Sequence, residues 1–380
     1  MATAVNEWVA LVAEPRAPAT LARTAALANA SWAFHQGLRG YTATPLRTLR
    51  GLAGELQLGS VILKDESHRF GLNAFKILGA SFALHRLLAT HGASAETVFT
   101  TATDGNHGRA VAWMARQLGF RAVIFMPAHS VRARIDAILN EGAQVVLVDE
   151  GYDAAVQLAL QAAGTRGWIV VQDTATADYH EVPELIAAGY WTMARELEPG
   201  THAPERAEVD VVMLHAGVGT WAAAIAQYYW HRYGTRRPRM VVVEPTAAAC
   251  LLDSVRCGQP TAASGSLRTI MAGLNCGFPS LDALAILRSS VDAFIAIPDL
   301  WAERAMRRLA TPSGTDPVVV AGESGAAGVA GLMALMKDPD YAGVREHLGL
   351  GPGSRVLAWS TEGATDPVGW ERVVGRPVPA

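Results

Sequence analysis

Lys76 is a candidate for covalent chemistry because of where it stands in the sequence. It follows Phe75 and precedes Ile77 and Leu78, where a strand-like run (SVILKDE) and a glycine-containing turn give way to helical spacing. The positive end of a helix dipole and apolar neighbours both disfavour an ammonium ion, so this position predicts a lowered pKa. An amine with a lowered pKa can bond to a carbonyl carbon as an imine. A surface lysine whose stem lies over the helix start is an equally good interpretation of this segment alone.

A glycine turn, HAGVGTWAAAI, follows the strand-like run VDVVML and opens a helix-like segment. Gly217 and Gly219 let the backbone turn several N–H groups toward one point, where the helix N-terminus favours an anion such as phosphate. The same string matches a dinucleotide fingerprint, Gly217-x-Gly219-x-x-Ala222, with Glu244 roughly 20 residues on, where a ribose-binding acid would lie. A tight turn that binds nothing is the third interpretation.

Several polar residues follow the ends of neighbouring predicted strands. Asp104, Asn106 and His107 lie in the loop TATDGNHG, and Asp173 follows the strand-like run WIVVQ. The C-terminal ends of parallel strands meet in the crevice where open α/β sheets bind ligands. With Lys76 nearby, this grouping predicts acid–base chemistry, with Asp104 as a general base and Asn106 as a donor to an anionic oxygen. The structural alternative makes Asp104 a helix N-cap, His107 a loop histidine and Asp173 a turn residue.

The segments that carry these residues alternate between strand-like and helix-like patterns, which implies right-handed crossovers, parallel sheets and an α/β fold of two interleaved units. The predicted strands are Thr97–Thr101, Ala122–Met126, Gln144–Val148, Trp168–Gln172, Val209–Leu214, Met240–Glu244 and Arg355–Ser360. The predicted helices include Arg109–Leu118, Tyr152–Ala163, Glu181–Leu197 and Thr220–Arg232.

The amino-acid composition limits which partners and which location are expected. The formal net charge is −3 and no long run of Lys and Arg occurs, so a nucleic-acid partner is not expected. The three cysteines lack CxxC spacing, so no metal site is expected. A disulfide bridge between Cys250 and Cys276 is conceivable. The low number of cysteines suits a cytoplasmic location. The N-terminus has no signal-peptide pattern, and no apolar run reaches the ~18 residues of a membrane span. We therefore expect a cytoplasmic protein with no membrane partner.

Together these segments resemble the fold-type II pyridoxal-phosphate enzymes and, within them, the diaminopropionate ammonia-lyase family. The resemblance runs from about Tyr41 to Asp366 and is carried, in this order, by TPLRTLRGLAGELQLGSVILKDESHRFGLNAFKILGAS, TATDGNHGRAVAW, VVQDT, GYWTMARE, HAGVGTWA, IMAGLNCG, ESGA and STEGATD. It implies two domains, each an open, mostly parallel sheet flanked by helices, with the cofactor in the cleft between them. The large domain would comprise residues 1–76 and 177–380, and the small domain residues 77–176.

The resemblance also implies a cofactor, pyridoxal 5′-phosphate, and a role for each matching residue. Lys76, preceded by Phe75, would bond covalently to it, Asn106 would lie next to its phenolic oxygen, and Ser360 would face its ring nitrogen. The matching phosphate-binding loop is Gly217, Val218, Gly219 and Thr220. Asp104 and Asp173 match two acidic active-site residues; many relatives have a small residue in place of Asp104.

The predicted reaction is the α,β-elimination of 2,3-diaminopropionate, on both enantiomers, to pyruvate and two ammonia. By resemblance, the enzyme is expected to be a homodimer that takes a small amino-acid substrate. Thr176 and Asp178 depart from the family pattern, which leaves open a sibling dehydratase acting on serine, threonine or a hydroxyaspartate. An NAD-dependent oxidoreductase that uses the Gly217 loop, and a non-catalytic binding protein, are the remaining alternatives.

Overall fold

A computed structural model describes residues 2–92, 94–149, 152–198 and 207–379. Helices and strands alternate along most of the chain. The strands are β1 (Ala2–Asn6), β2 (Val9–Val12), β3 (Leu46–Thr48), β4 (Ser60–Asp65), β5 (Val98–Ala102), β6 (Arg121–Pro127), β7 (Gln144–Val148), β8 (Ile169–Val170), β9 (Val211–His215), β10 (Arg239–Pro245), β11 (Ala293–Ile297) and β12 (Arg355–Ser360). The helices are α1 (Leu21–Gly37), α2 (Arg50–Glu55), α3 (Ile77–His91), α4 (Asn106–Gln117), α5 (Arg132–Asn140), α6 (Tyr152–Arg166), α7 (Glu181–Arg195), α8 (Thr220–Tyr233), α9 (Cys250–Cys257), α10 (Leu281–Ser290), α11 (Asp299–Ala310), α12 (Ala327–Lys337), α13 (Ala342–His347) and α14 (Pro367–Val374).

Eight strands form a mixed sheet in the order β1-β2-β11-β10-β9-β12-β4-β3. Its five central strands, from β11 to β4, are parallel, and β2 and β3 add to the two sides in the antiparallel sense. Every residue of β9 and of β11 is buried, as expected for strands covered by helices on both faces of a sheet. The pairing of β12 with β4 places Ser360 opposite Asp65.

A second, smaller sheet has the order β7-β6-β5-β8 and is parallel throughout. The two sheets confirm the predicted α/β class with open, mostly parallel sheets. All four strands of the small sheet fall within 77–176, and all eight of the large sheet fall outside that range. The domain boundaries at 76/77 and 176/177 stay a prediction that agrees with this division.

The predicted strands Gln144–Val148 and Arg355–Ser360 are observed with those bounds. The prediction for Trp168–Gln172 was too long, because β8 comprises only Ile169–Val170. The backbone leaves the ladder there, since the N–H of Gln172 donates to the hydroxyl of Tyr179 instead of to a strand. Cys250, Cys257 and Cys276 are all free thiols, so the conceivable Cys250–Cys276 bridge is not formed.

The part of the chain that the structure describes has neither a membrane-spanning helix nor a metal-binding cluster. None of the described helices is long and apolar enough to cross a membrane. Within the same residues, no cluster of His, Cys, Asp or Glu side chains could hold a metal ion.

A buried ion network anchors the segment that leads to Lys76. Glu196, which follows α7, accepts from Lys64 Nζ at 2.6 Å and from Arg69 Nη1 at 2.7 Å. Arg69 also donates to Glu66 at 2.8 Å, and none of these side chains is more than 1% exposed. The network joins β4 and the turn that follows it to α7. Buried charges of this kind are stable only while each has its partner.

We expect Glu196→Ala to lower the free energy of unfolding by about 3–5 kcal/mol, because it leaves Lys64 and Arg69 without their shared carboxylate in a buried setting. Denaturant titration of both proteins measures the difference. The matched control is Glu96→Ala, which breaks an exposed 3.2 Å pair with Arg121 and should change stability by at most about 1 kcal/mol. Equal losses in the two variants would show that the network adds no stability of its own.

Candidate active site

Lys76 immediately precedes α3, and its amine points at a carboxylate from a distant part of the chain. Nζ lies 2.5 Å from Oδ2 of Asp173. Burial lowers the pKa of the Lys76 ammonium, but the Asp173 carboxylate outweighs burial, so the pKa stands above its usual value. The prediction of a lowered pKa was therefore wrong for this state of the protein. Local sequence showed the apolar neighbours and the helix start, but not the charge contributed from 97 residues away.

Aromatic side chains form one wall around the lysine. The Phe75 ring packs against Tyr190 at 4.9 Å and against Trp221 at 5.7 Å between ring centroids. The Lys76 amine lies 5.6 Å from the centroid of the Phe75 ring. The lysine is thus confined on one side by aromatic faces and on the other by Asp173, which restricts the directions its amine can take.

The glycine turn lies between β9 and α8, as predicted. Gly219 has φ of +97°, a left-handed conformation that suits glycine. A Cβ on Gly217 would come within 2.6 Å of the sulfur of Cys276. The hydroxyl of Thr220 donates to the backbone oxygen of Asp173 at 2.6 Å, which ties the turn to the residue that holds Lys76. The turn therefore presents a close backbone approach and a helix N-terminus beside Lys76.

Glu244 does not have the place that a dinucleotide site requires. Its two carboxylate oxygens accept from the backbone N–H groups of Leu251 and Leu252, at 2.8 Å each, and it is buried at the start of α9. A side chain already used to cap a helix is not available for a ribose. The fingerprint at Gly217 is therefore a strand–turn–helix arrangement that many α/β sites share. The oxidoreductase alternative loses the ribose-binding acid that it requires.

Asp104 is not the helix N-cap of the structural alternative. Gly105 is the N-cap residue of α4, and the hydroxyl of Thr103 accepts from the N–H groups of Gly105 and Gly108. Among the described residues no hydrogen bond engages the Asp104 carboxyl. Burial raises the pKa of Asp104 to about 6, and Arg134 is the first of the cations that oppose the rise. A carboxyl group with this pKa can gain and lose a proton near neutral pH.

The neighbouring polar residues of the loop are both engaged. Asn106 Nδ2 donates to the carboxylate of Glu362. His107 is buried and its Nε2 bonds to the backbone oxygen of Val171 at 2.7 Å, while Nδ1 lies 4.0 Å from Asp173. Burial lowers the pKa of His107, so the ring is neutral near pH 7, and its bond to Val171 joins the start of α4 to the segment between β8 and Asp173. This structural role is the one expected for His107.

These side chains surround one cleft, partly open to solvent, which we call the central cleft. The predicted residues that line it are Phe75, Lys76, Asp104, Asn106, Asp173, Gly217, Val218, Gly219 and Thr220. Ser360 is not among the lining residues: it is fully buried at the end of β12, and Thr361, the next residue, lines the cleft instead.

Sequence reasoning missed at least five polar residues of the central cleft. Ser324, Thr361 and Glu362 lie in motifs that were recognised without assigning roles to these side chains, and His215 ends β9 just before the glycine turn. Burial lowers the pKa of His215 to about 3, so its ring is neutral. Tyr152 is a fifth, and no local pattern marks it, since it looks like any residue at the start of an amphipathic helix.

The two departures from the family pattern lie outside the central cleft. Thr176 lines a neighbouring cavity, which shares Tyr152, Val218 and Cys276 with the central cleft. Asp178 is exposed and lines neither cavity. Thr176 is therefore placed where a substrate path could pass, and Asp178 is not.

The central cleft fits pyridoxal phosphate in its donor set and its shape. The glycine turn at the start of the 14-residue helix α8 is a phosphate cradle that a Cβ at Gly217 would fill. Lys76 supplies the amine that an aldehyde needs, and Phe75 an aromatic face beside it. All of these residues line the cleft, and the titratable Asp104 also lines it.

Comparisons with known proteins agree with this geometry. Residues 38–345 match the family model described as pyridoxal-phosphate dependent enzyme. The diaminopropionate ammonia-lyase of Salmonella typhimurium is 41% identical over 364 residues, which cover 90% of this chain and 90% of the relative. A biosynthetic L-threonine dehydratase from Haemophilus influenzae is 28% identical over 228 residues, 59% of this chain and 41% of the relative.

Solved structures give the same result. The crystal structure of the Escherichia coli diaminopropionate ammonia-lyase in complex with an aminoacrylate-PLP azomethine reaction intermediate superposes with a TM-score of 0.88. The two sequences are 38% identical, and the match covers 98% of each chain. The cleft around Lys76 agrees with these similarities, which show the family: the chain belongs to the diaminopropionate ammonia-lyase family of pyridoxal-phosphate-dependent enzymes.

Proposed function

We propose that this protein eliminates the β-amino group of 2,3-diaminopropionate, with pyridoxal phosphate carried on Lys76, and releases pyruvate and two ammonia. The observation that carries the proposal is the pairing of the Lys76 amine with Asp173 at 2.5 Å in a cleft that also holds the titratable Asp104. The names of the similar proteins give the substrate, and the match over 90% of both chains supports its transfer to this one.

The chain's own residues divide the work of holding the cofactor. The backbone of Gly217–Thr220 and the N-terminus of α8 would bind the phosphate. Lys76 would bond to the aldehyde carbon, and Asn106 would lie near the phenolic oxygen. The expectation that Ser360 faces the ring nitrogen, where a hydroxyl adds no charge, stays a prediction, since Thr361 and not Ser360 lines the cleft. When bound, pyridoxal phosphate supplies the electron sink that makes the α-proton of the amino acid removable.

Two groups of the cleft can take that proton. Lys76 accepts it on one face of the substrate, and Asp104 on the other, which allows both enantiomers to react. Asp173 holds the Lys76 amine in position and balances its charge. Burial raises the pKa of Asp173, but the charge of the Lys76 ammonium beside it outweighs burial, so the pKa is lowered and Asp173 is ionised while it faces that ammonium.

The proposed phosphate site at Gly217–Thr220 can be tested by a substitution in its turn. We expect Gly219→Ala to weaken pyridoxal-phosphate binding at least about 10-fold, because a side chain at φ +97° strains the turn and displaces its N–H groups. Fluorescence titration of the cofactor-free protein measures the affinity. Gly234→Ala is the matched control, since Gly234 ends the same helix at φ +55° and a Cβ there meets nothing within 4 Å. An equal loss of affinity in Gly234→Ala would contradict the assignment.

The experiment that tests the proposed function is an ammonia and pyruvate assay on D- and L-2,3-diaminopropionate. Serine, threonine and hydroxyaspartate are assayed beside them. We expect the highest kcat/KM with diaminopropionate and activity with both of its enantiomers. Turnover of serine, threonine or hydroxyaspartate with none of diaminopropionate would establish the sibling dehydratase, and bound cofactor with no turnover of any of them would establish a binding protein.

Two features of the proposed enzyme stay predictions. The assembly is expected to be a homodimer, which sedimentation of the purified protein measures. The location is expected to be the cytoplasm, which fractionation of the source cells measures. Neither changes how the side chains of the central cleft act on the substrate.

A further inference from the structure

The side-chain amide of Gln172 lines the neighbouring cavity and is held in one orientation beside Tyr152. Its Oε1 accepts from the hydroxyl of Thr101 at 2.7 Å and from the backbone N–H of Ala102 at 3.1 Å. A backbone N–H can only donate, so the atom facing Ala102 must be the amide oxygen. The other end of the amide, Nε2, is therefore a donor, and this follows from the partners rather than from the appearance of the two atoms.

That donor determines what the Tyr152 hydroxyl can do. Gln172 Nε2 donates to Tyr152 Oη at 2.9 Å. The oxygen of Tyr152 is thus an acceptor in this bond, and its own proton is left for another partner. No hydrogen bond among the described residues uses that proton. Tyr152 lines the central cleft together with Asp104, Asp173 and Cys276, and it also lines the neighbouring cavity, so its free O–H lies where the two spaces meet.

We propose that Tyr152 is the acid that protonates the departing β-amino group. This inference rests on the proposed function and adds to it a catalytic residue. The O–H bond of Tyr152 breaks and its proton goes to the β-nitrogen, while the bond from the β-carbon to nitrogen breaks with its electron pair on nitrogen. The group leaves as neutral ammonia. The electron pair at the α-carbon becomes the double bond between the α- and β-carbons.

The proton balance closes within the cleft. Lys76 or Asp104 holds the proton taken from the α-carbon, and that proton returns to the Tyr152 oxygen. One proton has then moved from the α-carbon to the β-nitrogen. The N–H of Gln172 stabilises the phenolate during the step, because it already donates to the same oxygen.

The carboxyl groups of the cleft are poorer acids for this task at neutral pH. Asp173 is ionised in its pair with Lys76, and Asp104, with a pKa of about 6, is largely ionised above that pH. Burial, followed by the nearby Asp173, Cys276 and Asp104 side chains, raises the pKa of Tyr152 well above its usual value. The phenol thus keeps its proton under conditions in which the carboxyls have lost theirs.

The test compares two leaving groups in the holoenzyme and in Tyr152→Phe. Ammonia needs a proton to leave, whereas chloride from β-chloroalanine needs none. We expect kcat/KM for diaminopropionate to fall about 10²–10⁴-fold, and that for β-chloroalanine to fall at most a few-fold. Equal losses on both substrates, or no loss on either, would overturn the assignment of Tyr152 as the acid.

Tyr179→Phe is the matched control for structural damage. Tyr179 bonds to the backbone at Gln172 and Val170 and does not line the central cleft. Any loss it causes should fall on both substrates alike. A Tyr152 side chain replaced by 3,5-difluorotyrosine keeps the ring and its contacts but lowers the pKa of the phenol. It should move the alkaline limit of diaminopropionate turnover to lower pH and leave that of β-chloroalanine in place; an unmoved limit counts against the proposal.

Failure of this inference can be told apart from failure of the proposed function. A wild-type protein that acts on β-chloroalanine and serine but releases no ammonia from diaminopropionate would overturn the substrate assignment. Hydroxide also needs a proton to leave, so the comparison of serine with β-chloroalanine in Tyr152→Phe would then decide the role of Tyr152. A selective loss with serine supports it, and a parallel loss overturns it.

Discussion

Lys76→Ala is expected to lower kcat for ammonia release at least about 10³-fold, because it removes both a proton acceptor and the covalent attachment of the cofactor. The chain has three lysines, Lys64, Lys76 and Lys337, which makes the attachment site easy to assign. Borohydride reduction of the holoenzyme should fix the cofactor on the peptide that contains Lys76. Mass spectrometry of a digest, and ammonia release by the variant, measure the two effects.

The other two lysines are controls for the attachment site: Lys64 is buried in an ion pair, and Lys337 lies at a helix end. Lys64 is 1% exposed and paired with Glu196, so it has no access to the cleft, and Lys337 lies at the end of α12. Lys337→Ala should keep full activity and the same reduced peptide. A cofactor fixed to Lys64 or Lys337, or full ammonia release by Lys76→Ala, would refute the assignment of Lys76.

Asp104→Asn is expected to lower kcat/KM about 10²–10⁴-fold for one enantiomer of diaminopropionate and to leave the other within a few-fold. The amide keeps the size of the side chain but cannot accept the α-proton. The enantiomer whose α-proton faces Lys76 still has its base. Initial rates with the separate enantiomers measure the selectivity. Asp136→Asn, on the solvent side of α5, is the control and should affect neither enantiomer.

The pH dependence supplies the second half of this prediction. A base must be ionised to act, so turnover of the Asp104-dependent enantiomer should be lost as the pH falls through about 6. Arg134 holds the pKa of Asp104 below the value that burial alone would set. Arg134→Gln should therefore move this acid limit of kcat/KM to higher pH. Equal effects of Asp104→Asn on both enantiomers, or an acid limit that Arg134→Gln leaves unmoved, would contradict a base at Asp104.

The lysine–aspartate pair has a consequence for assembly of the holoenzyme. In the absence of cofactor the Lys76 amine is held as an ammonium by Asp173, so covalent attachment must first remove a proton from it. Lys76 is therefore positioned to bond to the cofactor, but its amine is protonated before the bond can form.

Local features of the chain were predictable because they depend on spacing along it. The strand–glycine–helix sequence around Gly217 and the helix start after Lys76 follow from turn chemistry and hydrophobic period, which act over a few residues. The alternation of strands and helices likewise indicated parallel sheets, and the strands β7 and β12 have their predicted bounds. Ends of parallel strands meet at one edge, so Asp104 and Asp173 could be expected to share a cleft.

The tertiary structure alone decided the charges and partners inside that cleft. The pKa of Lys76 depends on Asp173 at 2.5 Å, and the free proton of Tyr152 depends on how Thr101 and Ala102 orient Gln172. Electrostatic and hydrogen-bond effects act over a few ångströms in space, between residues far apart in the chain. A sequence therefore determines which groups are available and in which local setting, whereas folding determines which of them touch and hence where each proton lies.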